Sequence, residues 1–249
     1  MAGHIAFNNY LRAATVVSEA TIAGFPFANA VDGRTSTTVG FAVGATRTVT
    51  LNFGVAKSIS AVGFARSNLA ARGATITFAG SSDNVSYTNI TAIQPTADVV
   101  RLEAFNSSVS YQYVRISVSG HSGDVYVSDI YVGDHVVMPS NVDSSFAPPE
   151  YCDNDEVLSN LTYTNELAGL IVQRKLKNAM FKFDAIEPSW MAAQWASLTA
   201  ALKQYPIYWV WKSGARAFYC WPEKTIGAPK FSQGGKYVSV SFKVEGITE

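Results

Sequence analysis

Residues 47–53, RTVTLNF, alternate polar and apolar side chains without a break, which puts Val49, Leu51 and Phe53 on one face. A period of two makes a continuous apolar surface only in an extended strand with one buried face. The same pattern returns in short runs before residue 138. Residues 59–64 (ISAVGF) follow a glycine-containing turn, and residues 74–79 (ATITFA) end in the turn formers GSSDN. Residues 113–118 (YVRISV) and 125–132 (VYVSDIYV) complete the set. Strands this short, separated by turns and not by helices, predict a β-sandwich of jelly-roll type.

The pattern changes after residues 138–149, MPSNVDSSFAPP, whose Ser and Pro content predicts a stiff, solvated linker. Beyond it one helix is expected. Pro188 suits a first helical turn, where its missing N–H costs nothing. Met191, Trp195, Leu198 and Leu202 then recur as one apolar stripe, and Pro206 ends it. Alternating runs flank this helix at 179–185, 205–211 and 236–244, so antiparallel strands with one packed helix are expected. The fold class is therefore mainly β: an N-terminal sandwich at 1–137, a linker at 138–156 and a C-terminal α+β domain at 157–249.

Composition narrows the function. Hydrophobic residues make up 48% of the 249 residues and charged residues 15%, enough apolar material for real cores. Nineteen basic residues offset nineteen acidic ones, so no basic footprint for nucleic acid is expected. No apolar run reaches about 18 residues, and no membrane insertion is expected. The N-terminus lacks the basic start and apolar run of an export signal, which predicts synthesis in a cytoplasm. Cys152 and Cys220 read as two free thiols. No Gly-x-Ser-x-Gly, phosphate-loop or His-Glu-x-x-His motif occurs. His4, His121 and His135 lack metal spacing, and Asp153, Asp155 and Glu156 read as a solvated charge run. The chain is expected not to be an enzyme.

Four segments carry a family resemblance. NAVDGRTST at 29–37 resembles the Asp-Gly turn of discoidin-type (coagulation factor 5/8 type C, galactose-binding-like) domains. Residues 46–64 resemble their central strand pair. GSSDNVSYTNI at 80–90 resembles their Ser-x-Asp-Gly-x-x-Trp hairpin, with Asn84 and Tyr87 as departures. Residues 112–120 and 125–134 resemble the closing strands. The resemblance covers roughly residues 10 to 134. It implies ligand binding through loops at one end of the sandwich, of sugars, lipids or proteins. A sugar site needs an aromatic platform beside polar donors, and Phe25, Phe27, Arg34, Arg66, Asn68, Arg72 and His121 are the loop candidates. The resemblance also implies a structural calcium, with Asp32, Thr35 and Asp129 as candidate ligands. The usual tryptophan is missing and Arg34 stands where another acid is common, so an empty site and no other cofactor are expected.

The second part resembles the strand–helix–strand core of bacteriophage minor-tail and distal-tail proteins, over roughly 157–249. That resemblance implies a virion structural protein of the tail tip, made and assembled in the host cytoplasm. Its implied partners are further copies of itself in a ring, the tail tube and tip or hub proteins, with host surface glycan for the first domain. All five tryptophans fall here, and aromatic residues anchor interfaces. Tyr208, Trp209, Trp211 and Trp221 are the interface candidates, with one of Tyr208 and Trp209 expected to point away from the core. A cellular carbohydrate-binding protein with an accessory β-domain is the alternative.

Overall fold

The computed structural model describes residues 3–139, 146–152, 156–161, 163–164, 167–174, 177–211 and 217–249. Strands take up 53% and helices 13%, so the chain is mainly β, as the alternation predicts. The first part contains β1 (His4–Asn9), β2 (Thr15–Glu19), β3 (Val39–Phe41) and β4 (Arg47–Ser67). It continues with β5 (Thr75–Ser81), β6 (Thr88–Ile93), β7 (Arg101–Ser119) and β8 (Val125–Val137). The second part holds β9 (Glu156–Leu161), β10 (Leu167–Arg174), β11 (Lys177–Ile186) and α1 (Pro188–Leu202). It closes with β12 (Ile207–Val210), β13 (Phe218–Pro222), β14 (Lys230–Ser232) and β15 (Tyr237–Ile247).

The runs at 47–53 and 59–64 are two halves of one strand, β4. Its register against β7 slips between Asn52 and Lys57, where Gly54 takes φ 78 and donates its N–H to Asn52 Oδ1 at 2.7 Å. A slip of this kind bends and twists a strand. Residues 47–52 pair with 113–118 of β7 and with β2, whereas residues 61–65 pair with β8 and with the start of β7. The bent strands thus serve both layers of the sandwich. Val49, Leu51, Ile59, Val62, Phe64, Ile76, Phe78, Ile116 and Val127 fill the core between them.

A second core lies under α1. Phe181 stacks on Phe242 at 4.6 Å and tilts against Trp209 at 5.0 Å. Met191, Leu198 and Leu202 of the helix join them, while Trp195 of the same stripe is only half-buried and meets Phe242 edge-on at 6.4 Å. The helix starts at Pro188, as predicted, and ends at Leu202, with a turn before Pro206.

One strand joins the two parts. β1 pairs with β8 on one side and with β12 on the other, so the sheet runs β11-β15-β13-β12-β1-β8-β4-β7-β5-β6. Period-two alternation then divides its side chains: Ile5 enters the helix-side core, and Ala6 faces a third cluster. That cluster takes Ala61, Ala65, Val100 and Tyr131 from the first part and Tyr208, Val210, Ala217 and Tyr219 from the second.

The expectation that Tyr208 or Trp209 would point toward solvent or a partner is corrected here. The two do face opposite ways, but Trp209 lies in the helix-side core and Tyr208 in this seam. Both are at most 1% exposed, because the chain's own first part covers the second face. Within 138–149, expected as a solvated linker, Pro139 and Ala147 are exposed while other described residues pack against the second part. Met138 and Pro149 are buried, and Phe146 packs on Trp209 and Trp211 at 5.4 and 6.0 Å. Asp153 and Asp155 lie outside the described residues.

Candidate functional site

Four loops meet at one end of the sandwich, before β3, after β3, after β4 and before β8. Phe25 lies 38% exposed with its ring edge-on to Tyr126 at 5.2 Å. Gly40 lets them meet, since a Cβ there would stand 3.0 Å from Phe25 and 3.2 Å from the Tyr126 ring. Asn68 fixes the neighbouring loop. Its amide donates to the Asp124 carbonyl at 3.1 Å and its oxygen accepts from Tyr126 N–H at 2.8 Å. Asp124 reaches across to accept the Val43 N–H at 2.9 Å.

Arg72 is exposed beside Gly123, and its carbonyl accepts the Ser122 N–H. His121 is buried under this loop with Nδ1 3.0 Å from the Gly123 carbonyl oxygen. Arg66 is exposed at the end of β4 with φ 47, a left-handed conformation uncommon for a residue with a Cβ. Phe25, Arg66, Asn68, Arg72 and His121 thus share one end of the domain, whereas Phe27 is core. Tyr126 and Asp124 were not among the sequence candidates. Tyr126 sits on the alternating face of a strand and Asp124 in a turn, and neither pattern marks a ligand.

The Asp-Gly turn sits elsewhere. Asp32 accepts the Arg34 N–H and the Thr37 hydroxyl, each at 2.8 Å, as an Asp before Gly does in capping its own turn. Gly33 has φ 78, and a Cβ there would lie 2.9 Å from the Tyr205 ring. Glycine is required twice over: for the left-handed backbone and for close docking on the second part.

Residues 13–129 match the family described as the F5/8 type C domain. Over these residues the N-terminal unit is similar to an F5/8 type C domain. Solved structures to which the chain is similar include several carbohydrate-binding modules. The first family 32 module of a family 31 glycoside hydrolase from Clostridium perfringens is 16% identical with TM-score 0.44, covering 51% of this chain and 99% of that one. The family 32 module of NanJ from C. perfringens, in complex with galactose, is 15% identical with TM-score 0.42, covering 53% and 99%. The family 32 module of AlyQ, in complex with 4,5-unsaturated mannuronic acid, is 22% identical with TM-score 0.40, covering 51% and 96%. No curated protein matches the sequence.

Within this F5/8 type C-like unit, the side chains proposed for calcium do not fit one. Asp129 is fully buried. Its two oxygens accept the hydroxyls of Tyr208 and Tyr219 at 2.7 and 2.9 Å. The Arg12 guanidinium lies 3.9 Å away and stacks on the Tyr205 ring at 3.8 Å. Calcium needs several free oxygens converging on one point, but here both carboxylates are engaged by donors. The Thr35 carbonyl likewise accepts the Ser128 hydroxyl at 3.3 Å. A guanidinium already supplies the positive charge. Burial, the largest influence, raises Asp129 from 3.8 to about 6 against the lowering by Tyr208, Arg12 and Tyr219. The two tyrosines are pushed well above their ordinary value, first by burial and then by the Asp129 charge.

Among the described residues, no group of three His, Cys, Asp or Glu could hold a metal. Cys220 is buried and Cys152 half-buried, both free, and burial raises the Cys220 thiol far out of reactive range. Of the interface candidates, Tyr208, Trp209 and Trp211 are buried within the chain, and Trp221 is half-buried. Arg34, Thr35 and Trp221 come together on a cleft between the F5/8 type C-like unit and the second part.

Proposed function

We propose that this is a non-enzymatic glycan-binding protein that takes a saccharide on the loop end of its F5/8 type C-like unit. The observation that carries the reading is the Phe25–Tyr126 pair, with Phe25 exposed and Tyr126 half-buried, on a loop end that also carries the exposed Arg72 beside Gly123 and is tied together by Asn68 and Asp124. Aromatic rings cover the apolar face of a sugar, and donors beside them satisfy its hydroxyls. A framework tied together by its own hydrogen bonds lowers the ordering cost of binding. The second part builds the domain into a larger assembly of the bacteriophage tail-tip type. What supports this is the order β11-α1-β12 followed by the aromatic β13, the pattern that resembles distal-tail and minor-tail proteins. A ring of copies would use side chains still exposed there, such as Met180 and Phe231, and the bound glycan would belong to the host surface.

Probing a glycan array with the full chain and with Phe25→Ala tests the binding claim. Retention of defined glycans, weakened about tenfold or more in the variant, is expected; equal retention by both would overturn the loop-end site. Light scattering tests the assembly claim. A ring-sized particle supports it, and a glycan-binding monomer that stays monomeric with tail proteins present would favour the cellular alternative.

A further inference from the structure

The cleft between the two parts has a volume of about 820 Å3, within the roughly 300–1,000 Å3 of small-ligand sites. Gly33, Arg34 and Thr35 of the Asp-Gly turn form one wall. The end of α1 with Lys203, Gln204 and Tyr205 forms the next, and β13 with its following turn adds Trp221, Lys224 and Thr225. Two features set its chemistry. Three cations, Arg34, Lys203 and Lys224, line it, all of them exposed, and among the described residues no carboxylate does. Beside them the half-buried Trp221 indole and Ile226 supply apolar surface, and Gln204 and Thr225 supply neutral polar groups.

The helix terminus works the other way, since a C-terminus carries about half a negative charge. Two facts reduce it: Lys203 caps that end, and the N–H groups of Lys203, Gln204 and Tyr205 return to the Thr199 and Ala201 carbonyls. Three full positive charges outweigh the remainder. A bare inorganic anion would leave the indole unused, and a neutral sugar would leave the cations unused.

We infer that this cleft is a second binding site, for a saccharide bearing a carboxylate, with the sugar's apolar face on Trp221 and its carboxylate among Arg34, Lys203 and Lys224. A guanidinium can hold a carboxylate through two parallel hydrogen bonds. The choice of a saccharide over another ring-bearing anion rests on the glycan-binding reading of the F5/8 type C-like unit. The cleft shares no residue with the Phe25 face, so the two sites separate experimentally.

The test titrates the full chain with a short oligouronide, its methyl-esterified counterpart and AMP, read by calorimetry and Trp fluorescence. Arg34→Glu and Lys224→Glu change exposed side chains and leave the cores intact, and Phe25→Ala serves as the control for the other face. Expected are binding of the oligouronide at least about tenfold tighter than the ester, a loss of about tenfold or more in each charge reversal, and no change in Phe25→Ala. Equal binding of acid and ester, preference for AMP, or binding indifferent to Arg34→Glu would overturn the inference. Oligouronide binding lost in Phe25→Ala but kept in Arg34→Glu would also overturn it while leaving the loop-end reading standing. No binding of any glycan would remove both.

Discussion

At the scale of single residues, Asp129 ties the two parts of the chain together. One carboxylate accepts hydroxyls from β12 and β13, and Arg12 links it to Tyr205. Asp129→Ala would leave two buried hydroxyls without their acceptor and the Arg12 guanidinium without its counter-charge, and should cost roughly 3–5 kcal/mol by denaturant unfolding. Its titration adds a pH signature. Folded Asp129 keeps its proton up to about 6, whereas the unfolded side chain releases it near 3.8. Between those values the folded state binds more protons, so this contribution is present at low pH and is lost as pH rises from about 4 to about 6. A separation of that size between folded and unfolded values corresponds to roughly 3 kcal/mol. Asp83, lowered by the Val85 and Ser86 N–H groups, acts in the opposite sense as pH falls, so the readout is a difference. Melting of the Asp129→Asn variant should lack the fall between pH 4 and 6 that the unaltered chain shows. Parallel curves would contradict the assignment. Gly33→Ala meets both a left-handed φ and the Tyr205 ring, and should destabilise by about 1–3 kcal/mol in the same measurement.

At the scale of elements, the helix stripe predicts which residues face inward but not how deeply. Trp195→Ala should cost about 2–3 kcal/mol, below the roughly 3–5 kcal/mol of a fully buried aromatic, because part of the indole stays in water. A loss as large as that of Phe183→Ala, a fully buried neighbour, would show the ring to be deeper. The same limit governs what could be read beforehand. Alternation at 47–53 named the right inward residues, and the Asp-Gly turn and the helix start fell where expected. That β4 and β7 bend and serve both layers was not legible, since a bend keeps the apolar period while changing the strand's partner. Nor was the burial of Tyr208. A period of two says that a side chain faces away from its neighbour, and nothing about what covers that face. Phe25 was visible as a loop aromatic, but its partner Tyr126 was hidden in an ordinary strand pattern. The role of Asp129 depends on Arg12, Tyr208 and Tyr219, contacts more than 70 residues away in sequence.

At the scale of the whole molecule, β1 makes the parts interdependent. It belongs to the first part by sequence, yet pairs with β12, and Val100 N–H also bonds the Thr248 carbonyl across the seam. Limited proteolysis within 138–156 should therefore yield two pieces that stay together on gel filtration, held by the sheet and the Asp129 cluster. Pieces that separate without denaturant would show the seam to be weak. The shared sheet and the Asp129 cluster thus join the loop end's domain to the second part. The measurement that tests the central claim most directly is NMR mapping of the full chain during titration with a glycan retained on the array. The account predicts saturable shift changes centred on Phe25, Tyr126, Asn68 and Arg72, with Phe27 and the sandwich core unmoved. Shifts confined to other faces, or none at saturating glycan, would contradict it.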